Sequence, residues 1–365
     1  MNIDELPTPC LVIDLDIVEQ NISKMASYCR SAGCGLRPHV KAHKNPLIAR
    51  KQIDAGAVGL CCQTLEEAEA MIFNGIDKIL LTNMIASENA ITRFLNLRRN
   101  GEIMITLDSI EGAQLLGSAA QKRGLTIEVL VEINVGQNRT GVEPGEKAAR
   151  FALAISKIAG LKFRGLMGYE GHLQLSIPEF EKRKTEVHKT LSNLAISLEA
   201  VRKESGLDAD IVTSGGTGTY NITAEYDGVT EIQPGSYVMM DHRYNLMQTC
   251  GTDFGNSLKV LSTVISAPSE GRVVVDMGWK ACSVEYQIFG WDGMPRPVEF
   301  SEAKYSPGGD EHGILNLDEK AVKKPRIGDR ITFLPSHCDT TLNLHNKFYG
   351  VRGDRVEVVC PIARR

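Results

Sequence analysis

From Leu36 to Asp241, short apolar runs rich in β-branched residues alternate with longer stretches whose apolar residues recur at helical spacing. The strand-like runs fall at 35–40, 57–62, 78–82, 103–107, 127–133, 163–169, 210–214 and 229–240. Helical patterns at 65–73, 109–122, 147–157 and 179–203 lie between them, and another is predicted over 18–30 with Asp14 or Asp16 as N-cap. Strands alternating with helices in this way indicate parallel βαβ units. Eight such strands are the number that closes a (β/α)8 barrel of the TIM type. An open doubly wound sheet is the alternative. After Asp241 the texture changes. Runs at 258–266, 272–276, 284–289, 297–300, 330–334 and 355–360 are strand-like, turn formers such as Ser306-Pro307-Gly308-Gly309-Asp310 separate them, and no good helical pattern follows Asn245. The expected architecture is α/β: a barrel over 10–245, then a C-terminal all-β domain over 246–365 that residues 1–9 join.

Composition narrows the function classes. The chain has 365 residues, 42% hydrophobic and 24% charged, enough for two domains of ordinary globular character. A net charge of −4 argues against a nucleic-acid partner, which selects basic surfaces. No apolar run reaches the roughly 18 residues of a membrane span, so no membrane partner is expected. The opening Met1-Asn2-Ile3-Asp4-Glu5-Leu6-Pro7 lacks the basic and apolar regions of a signal peptide. The nine cysteines are odd in number and include no Cys-x-x-Cys pair, which fits buried thiols in a reduced, cytoplasmic setting.

Barrel enzymes work at the C-terminal ends of their strands, and unusual residues gather there. Lys41 follows the first strand, Gln63-Thr64 the second, 134–139 the fifth, and Tyr169-Glu170-Gly171-His172 the sixth. The turn Ser214-Gly215-Gly216-Thr217-Gly218-Thr219 follows the seventh, and Gly235-Ser236-Tyr237 lies in the eighth. Glycines permit close backbone approach and turn amides bind phosphate, although a plain tight turn has the same composition. The spacing is neither a dinucleotide fingerprint nor a Walker A loop, which points to a small phosphorylated cofactor.

Lys41 sits in Arg37-Pro38-His39-Val40-Lys41-Ala42-His43-Lys44. Most charge runs are solvated loops, but a lysine among cations loses proton affinity and becomes a nucleophile. Near the C-terminus, His337 and Asp339 in Pro335-Ser336-His337-Cys338-Asp339 would point the same way from an extended segment. An imidazole and a carboxylate suit zinc or manganese, whereas a surface turn is the commoner origin of such a pair.

These segments, with Pro7-Thr8-Pro9-Cys10-Leu11-Val12-Ile13-Asp14 and Asn138-Arg139-Thr140-Gly141, resemble in order and spacing the D-threonine aldolase and D-serine dehydratase family. That family is the metal-activated branch of the alanine-racemase-like, fold type III enzymes of pyridoxal 5'-phosphate (PLP). The resemblance implies a barrel plus a β-domain, assembled as a homodimer. It implies Lys41 as the Schiff-base lysine, Arg139 near the cofactor's ring hydroxyl and Tyr169 beside its pyridine nitrogen. Ser214, Gly215, Gly216, Thr217, Gly218 and Thr219, with Gly235 and Ser236, would cradle the phosphate; Gln63 and Tyr237 are further cofactor-binding positions. His337 and Asp339 would hold manganese or zinc, with magnesium as a further candidate. Aldolases of the family tend to carry His-x-Asp there and dehydratases His-x-Cys; this chain has Asp339.

The implied reaction is cleavage of a D-3-hydroxy-α-amino acid to glycine and an aldehyde, with His43, His172 or metal-bound hydroxide as base. The rivals are a dehydratase of D-serine or D-3-hydroxyaspartate type at the same site, a metal-independent racemase, and a non-catalytic PLP-binding protein. The second domain argues against the last, because simple PLP carriers consist of the barrel alone.

Overall fold

The computed structural model describes residues 1–318 and 324–363, which form two compact units. One runs from Ser23 to Gly235; the other joins Met1–Ile22 to the chain from Ser236 onward. Strand β1 (Cys10–Asp14) belongs to the second. The first unit holds eight parallel strands: β2 (Gly35–Leu36), β3 (Leu60–Cys62), β4 (Lys78–Leu81), β5 (Glu102–Leu107), β6 (Ile127–Glu132), β7 (Leu161–Met167), β8 (Ile211–Ser214) and β9 (Glu231–Ile232). Their order is β2-β9-β8-β7-β6-β5-β4-β3. The edges meet just beyond β2, where Val58 donates its amide to the Leu36 carbonyl at 2.8 Å and Cys61 donates to Pro38 at 2.8 Å. A parallel bridge of His39 with Cys61 completes the closure. The fold is the expected barrel.

Strand alternation builds two layers of core. Cys61, Leu80, Met104, Leu130 and Ile211 form an interior cluster, while their neighbours Leu60, Cys62, Ile79, Leu81, Ile103 and Ile105 join the larger core that includes the helices. Where β6 and β7 shift register, Gly165 has φ +155°, and a Cβ there would lie 1.8 Å from the Ile211 carbonyl oxygen. Only glycine lets β8 pair at that point.

Helices Leu65–Phe73, Ile110–Lys122, Glu146–Ser156 and Phe180–Ala200 lie where periodicity put them, and Asp14 accepts from the Asp16 and Ile17 amides at the head of Leu15–Ala32. Two more, Pro46–Asp54 and Glu88–Leu97, are capped by Asn45 and Ser87. The run at 229–240 is not one strand. It stops at Ile232, because Pro234 has no amide to donate, and resumes as a 3-10 turn at Ser236–Val238.

In the second unit, β10 (Leu258–Ser269) is the hub. It pairs with β1, with β11 (Arg272–Val275) and with β15 (Arg330–Leu334), between which fall β12 (Arg296–Pro297), β13 (Lys304–Pro307) and β14 (Gly313–Asn316). On the other side of β1 lie β16 (Lys347–Arg352) and β17 (Arg355–Pro361). Residues 10–14, expected with the barrel, are therefore a central strand here, antiparallel to β10 and parallel to β16. Their side chains explain it: Cys10 and Val12 are buried with Leu6, Leu261, Tyr349 and Val351. The expected strand at 284–289 is instead a 3-10 turn, Glu285–Phe289, ended by Gly290 at φ +68°. Short helices also occur at Cys250–Asp253 and Cys338–Asn343. All nine cysteines are free and buried, and no helix among the described residues is long and apolar enough to cross a membrane.

Candidate active site

The basic run after β2 does not stay together. Arg37 is buried in a two-pronged ion pair with Glu231 (Nε–Oε2 2.7 Å, Nη2–Oε1 2.8 Å). It lines a cavity of about 300 Å³ at the N-terminal end of the strands, with Lys78, Glu102 and Glu128. His39 accepts the Lys41 amide on Nδ1 at 3.4 Å, which caps the single 3-10 turn Val40–Ala42 that carries Lys41. Its Nε2 meets Thr82 Oγ1 at 3.1 Å, and Thr82 in turn meets Gln63 Oε1 at 3.4 Å. Gln63 is thus tied to the turn of Lys41. Lys44 pairs with buried Glu67 at 3.7 Å. His43 is fully buried: Nδ1 accepts the Asn45 amide at 3.1 Å, so Nε2 is left to donate to Gln52 Oε1 at 3.2 Å. Both its nitrogens serve the helix Pro46–Asp54, one at its N-cap and one in its last turn.

Lys41 meets Tyr169 instead. Its Nζ lies 5.8 Å from the Tyr169 ring centroid, and the Arg139 guanidinium carbon lies 5.7 Å from the same point. Arg139 is presented by a built loop. Asn134 Oδ1 accepts the Gly136 and Asn138 amides, Thr140 donates its hydroxyl to Glu132, and Asp108 accepts the Gly141 amide at 3.1 Å. Gly141 has φ +101°, and a Cβ there would come within 2.5 Å of the Asn134 nitrogen. Burial pushes the Glu132 carboxyl above its usual range.

Past Tyr169, a 3-10 turn Gly171–Leu173 holds His172 half-buried. Burial lowers the His172 pKa against the opposing pull of Glu170, and Nδ1 has no hydrogen-bond partner among the described residues.

The turn at 214–219 is wholly buried and differs from the expectation in one respect. Much of its hydrogen bonding is spent inside the protein. Gly215 donates to Glu170 Oε2 at 3.1 Å, Gly216 to Thr219 Oγ1 at 3.1 Å, and Gly218 to Gln174 Oε1 at 2.9 Å. A Cβ on Gly218 would sit 2.0 Å from the Gln174 carbonyl oxygen, and one on Gly216 would sit 2.5 Å from Gln174 Oε1. These two glycines make room for Gln174. Gly235 likewise makes room for His39, whose carbonyl oxygen would be 2.9 Å from a Cβ there. A lysine amine, a guanidinium and a buried polar turn nonetheless match the aldehyde, the ring oxygen and the phosphate of PLP, so the donor set fits that cofactor.

In the second unit, His337 and Asp339 do not follow strand alternation. His337 is the extended N-cap residue of helix Cys338–Asn343, and Asp339 stands in its first turn, because Asp241 accepts the Cys338 amide at 2.9 Å and starts the helix there. Asp241 also accepts the Tyr244 amide at 2.8 Å; complete burial raises its pKa to about 6. Ser236 donates to Asp339 Oδ1 at 3.2 Å, and Tyr237 packs edge-on against Phe254.

His337 Nδ1 lies 2.6 Å from Glu285 Oε1, which leaves Nε2 for a ligand, and its ring stacks on Tyr286 at 4.6 Å. Burial works to raise the Glu285 carboxyl, but the bonds from His337 and Thr340 outweigh it and hold the pKa near about 2. Glu285 Oε2, Tyr286 OH and Ser336 Oγ are buried without a hydrogen-bond partner beside this histidine. No group of three or more His, Cys, Asp or Glu side chains among the described residues is arranged to hold a metal. An imidazole and a carboxylate, the donors that His337 and Asp339 offer, would supply two ligands of a metal and leave its other positions to further ligands. Glu170 was noted only within the run after the sixth strand, and Gln174, Asp241 and Glu285 were not singled out by the sequence pattern; the Gly218, Cys338 and His337 groups they bind are too distant in the chain to leave a local signal.

Comparisons with known proteins identify both parts of the chain. Residues 13–243 match the alanine racemase N-terminal domain family, and 257–351 match the putative serine dehydratase domain. The chain is 34% identical to 3-hydroxy-D-aspartate aldolase of Paracoccus denitrificans (strain Pd 1222), covering 100% of this chain and 94% of the relative. Among solved structures it is similar to D-threonine aldolase from Filomicrobium marinum, with TM-score 0.92, 36% identity and coverage of 99% and 95%. It is also similar to D-threo-3-hydroxyaspartate dehydratase from Delftia sp. HT23, with TM-score 0.88, 28% identity and coverage of 100% and 99%. The chain belongs to this family of lyases, an alanine-racemase-type barrel joined to a serine-dehydratase-type domain.

Proposed function

We propose that the protein is a PLP- and divalent-metal-dependent lyase that cleaves D-3-hydroxy-α-amino acids to glycine and an aldehyde. The observation that carries this reading is the meeting of Lys41 and Arg139 on the Tyr169 ring. When bound, PLP supplies an electron sink for the breaking Cα–Cβ bond, and a divalent metal lowers the pKa of a coordinated hydroxyl. Lys41 supplies the amine that holds the cofactor's aldehyde. Arg139 supplies positive charge for its ring oxygen, and Tyr169 supports both cations. His172 is the proton acceptor: burial lowers its pKa and favours the neutral ring, whereas both nitrogens of His43 are committed. His337 and Asp339 are the metal ligands, manganese or zinc being the suited ions. Homodimer assembly is part of the same reading, taken from the family resemblance.

The aldolase relatives and Asp339 support carbon–carbon cleavage. Dehydration is the second reading, favoured by the match of 257–351 to the serine dehydratase domain and by the dehydratase fold relative. A product assay with D-threonine and with D-3-hydroxyaspartate, manganese or zinc present, separates them. Glycine with an aldehyde is expected; a keto acid with ammonia rejects the aldolase. Chelator should abolish turnover, and activity that survives it removes His337 and Asp339 from the mechanism.

A further inference from the structure

The strongest feature outside the residues assigned above is Glu170. Its carboxylate is fully buried and takes three donors, and shares a fourth with the Gly168 carbonyl, from a single stretch of chain 44 to 53 residues away. Oε2 accepts from the Gly215 amide at 3.1 Å and lies 2.7 Å from Ser214 Oγ, whose one proton it shares with the Gly168 carbonyl. Oε1 accepts from Thr219 Oγ1 and Thr223 Oγ1, each at 2.7 Å. Four residues on, Gln174 accepts the Gly218 amide and donates to Thr219 Oγ1 at 3.0 Å. Glu170 and Gln174 flank the short 3-10 turn that follows Tyr169 and holds His172. The segment 169–174 and the turn 214–219 are thus tied at both ends of the shorter piece.

We propose that Glu170 is a positioning residue. It locks the glycine-rich turn in its phosphate-accepting shape before any ligand arrives, and it fixes Tyr169 and His172 to that turn. The proposal rests on the assignment of PLP to this barrel. Two acceptor oxygens are required, because Oε1 serves both threonine hydroxyls and Oε2 serves the Gly215 amide. Glutamine in place of Glu170 turns one oxygen into a donor group. The hydroxyls can rotate away from it, but the Gly215 amide, or the pair of threonines, loses its acceptor.

The test titrates cofactor-stripped full-length protein with PLP and, separately, with pyridoxal, which lacks the phosphate. Wild type should bind PLP far more tightly than pyridoxal. In Glu170→Gln, PLP affinity should fall about tenfold or more while pyridoxal affinity stays nearly unchanged. A general packing defect would weaken both ligands alike, and that result, or no change in either, overturns the proposal. If Glu170→Gln does not fold, Thr223→Val removes one donor and leaves the carboxylate; the same selective loss, about threefold, is expected. An unchanged ratio in Thr223→Val then overturns it. Failure of wild type to bind PLP at all would instead overturn the assignment on which the proposal stands.

Discussion

The two ends of the barrel use the same residue types for opposite purposes. At the N-terminal end, Arg37 pairs with Glu231, and Arg164 with Glu128 at 2.5 Å and Asp210 at 3.0 Å. Each guanidinium there is matched to carboxylates on a neighbouring strand, which makes the charge structural. At the C-terminal end, Lys41 and Arg139 converge on an aromatic ring, and His172 keeps a nitrogen without a partner. The first pairing ties strand to strand, whereas the second brings two cations to one ring. The basic run 37–44 spans both ends. Arg37 turns to Glu231 and Lys41 to Tyr169, so the two do not share a site.

This contrast can be broken from either end. The largest effect is expected at Lys41: Lys41→Ala should abolish turnover and the absorbance of the lysine-bound cofactor, with the cofactor-free variant and cofactor-free wild type melting at the same temperature. His172→Phe comes next, with kcat/KM lower by about 10²–10⁴-fold. Burial places the His172 pKa below its ordinary 6.5, so the base stays neutral above that value and is lost only as pH falls further. The acid limb of the wild-type profile should therefore lie below pH 6.5 and vanish in the variant; a limb that persists assigns the base elsewhere.

At the opposite end the effect should fall on stability. Arg37→Met leaves Glu231 buried without its partner and should cost about 3–5 kcal/mol in denaturant unfolding, with kcat of the folded fraction unchanged. The smallest effect is expected for Lys162→Ala. Lys162 meets Glu128 at 3.0 Å but is more than half exposed, so the loss should be about 0–1 kcal/mol. A large loss of kcat in Arg37→Met would contradict the division between the two ends.

The barrel was legible because parallel strands buried on both faces leave continuous β-branched runs, and because the helices between them keep one apolar stripe. Pro46–Asp54 was missed although Asn45-Pro46 is a start signal; nine residues are too few for the period to stand out. β1 was misassigned because its alternation is shared by both units, and only pairing with β10 and β16 tells them apart. Lys41, Arg139 and Tyr169 were grouped through the family resemblance, and the structure brings them together; His172 was a candidate from its place at a strand end. His43 looked equally suitable, since nothing in the sequence announces that Asn45 and Gln52 consume its ring. The glycines at 216 and 218 suggested room for a ligand, but the room is for Gln174. His337 and Asp339 were paired for a geometric reason that fails, since a helix begins between them.

The central claim is that Lys41, rather than its neighbour Lys44 or any other lysine, holds the cofactor. Borohydride reduction of the PLP-loaded protein followed by peptide mass mapping tests it directly. The account predicts a single pyridoxyl adduct on Lys41. An adduct on Lys44 or another lysine, or none at all, would contradict it.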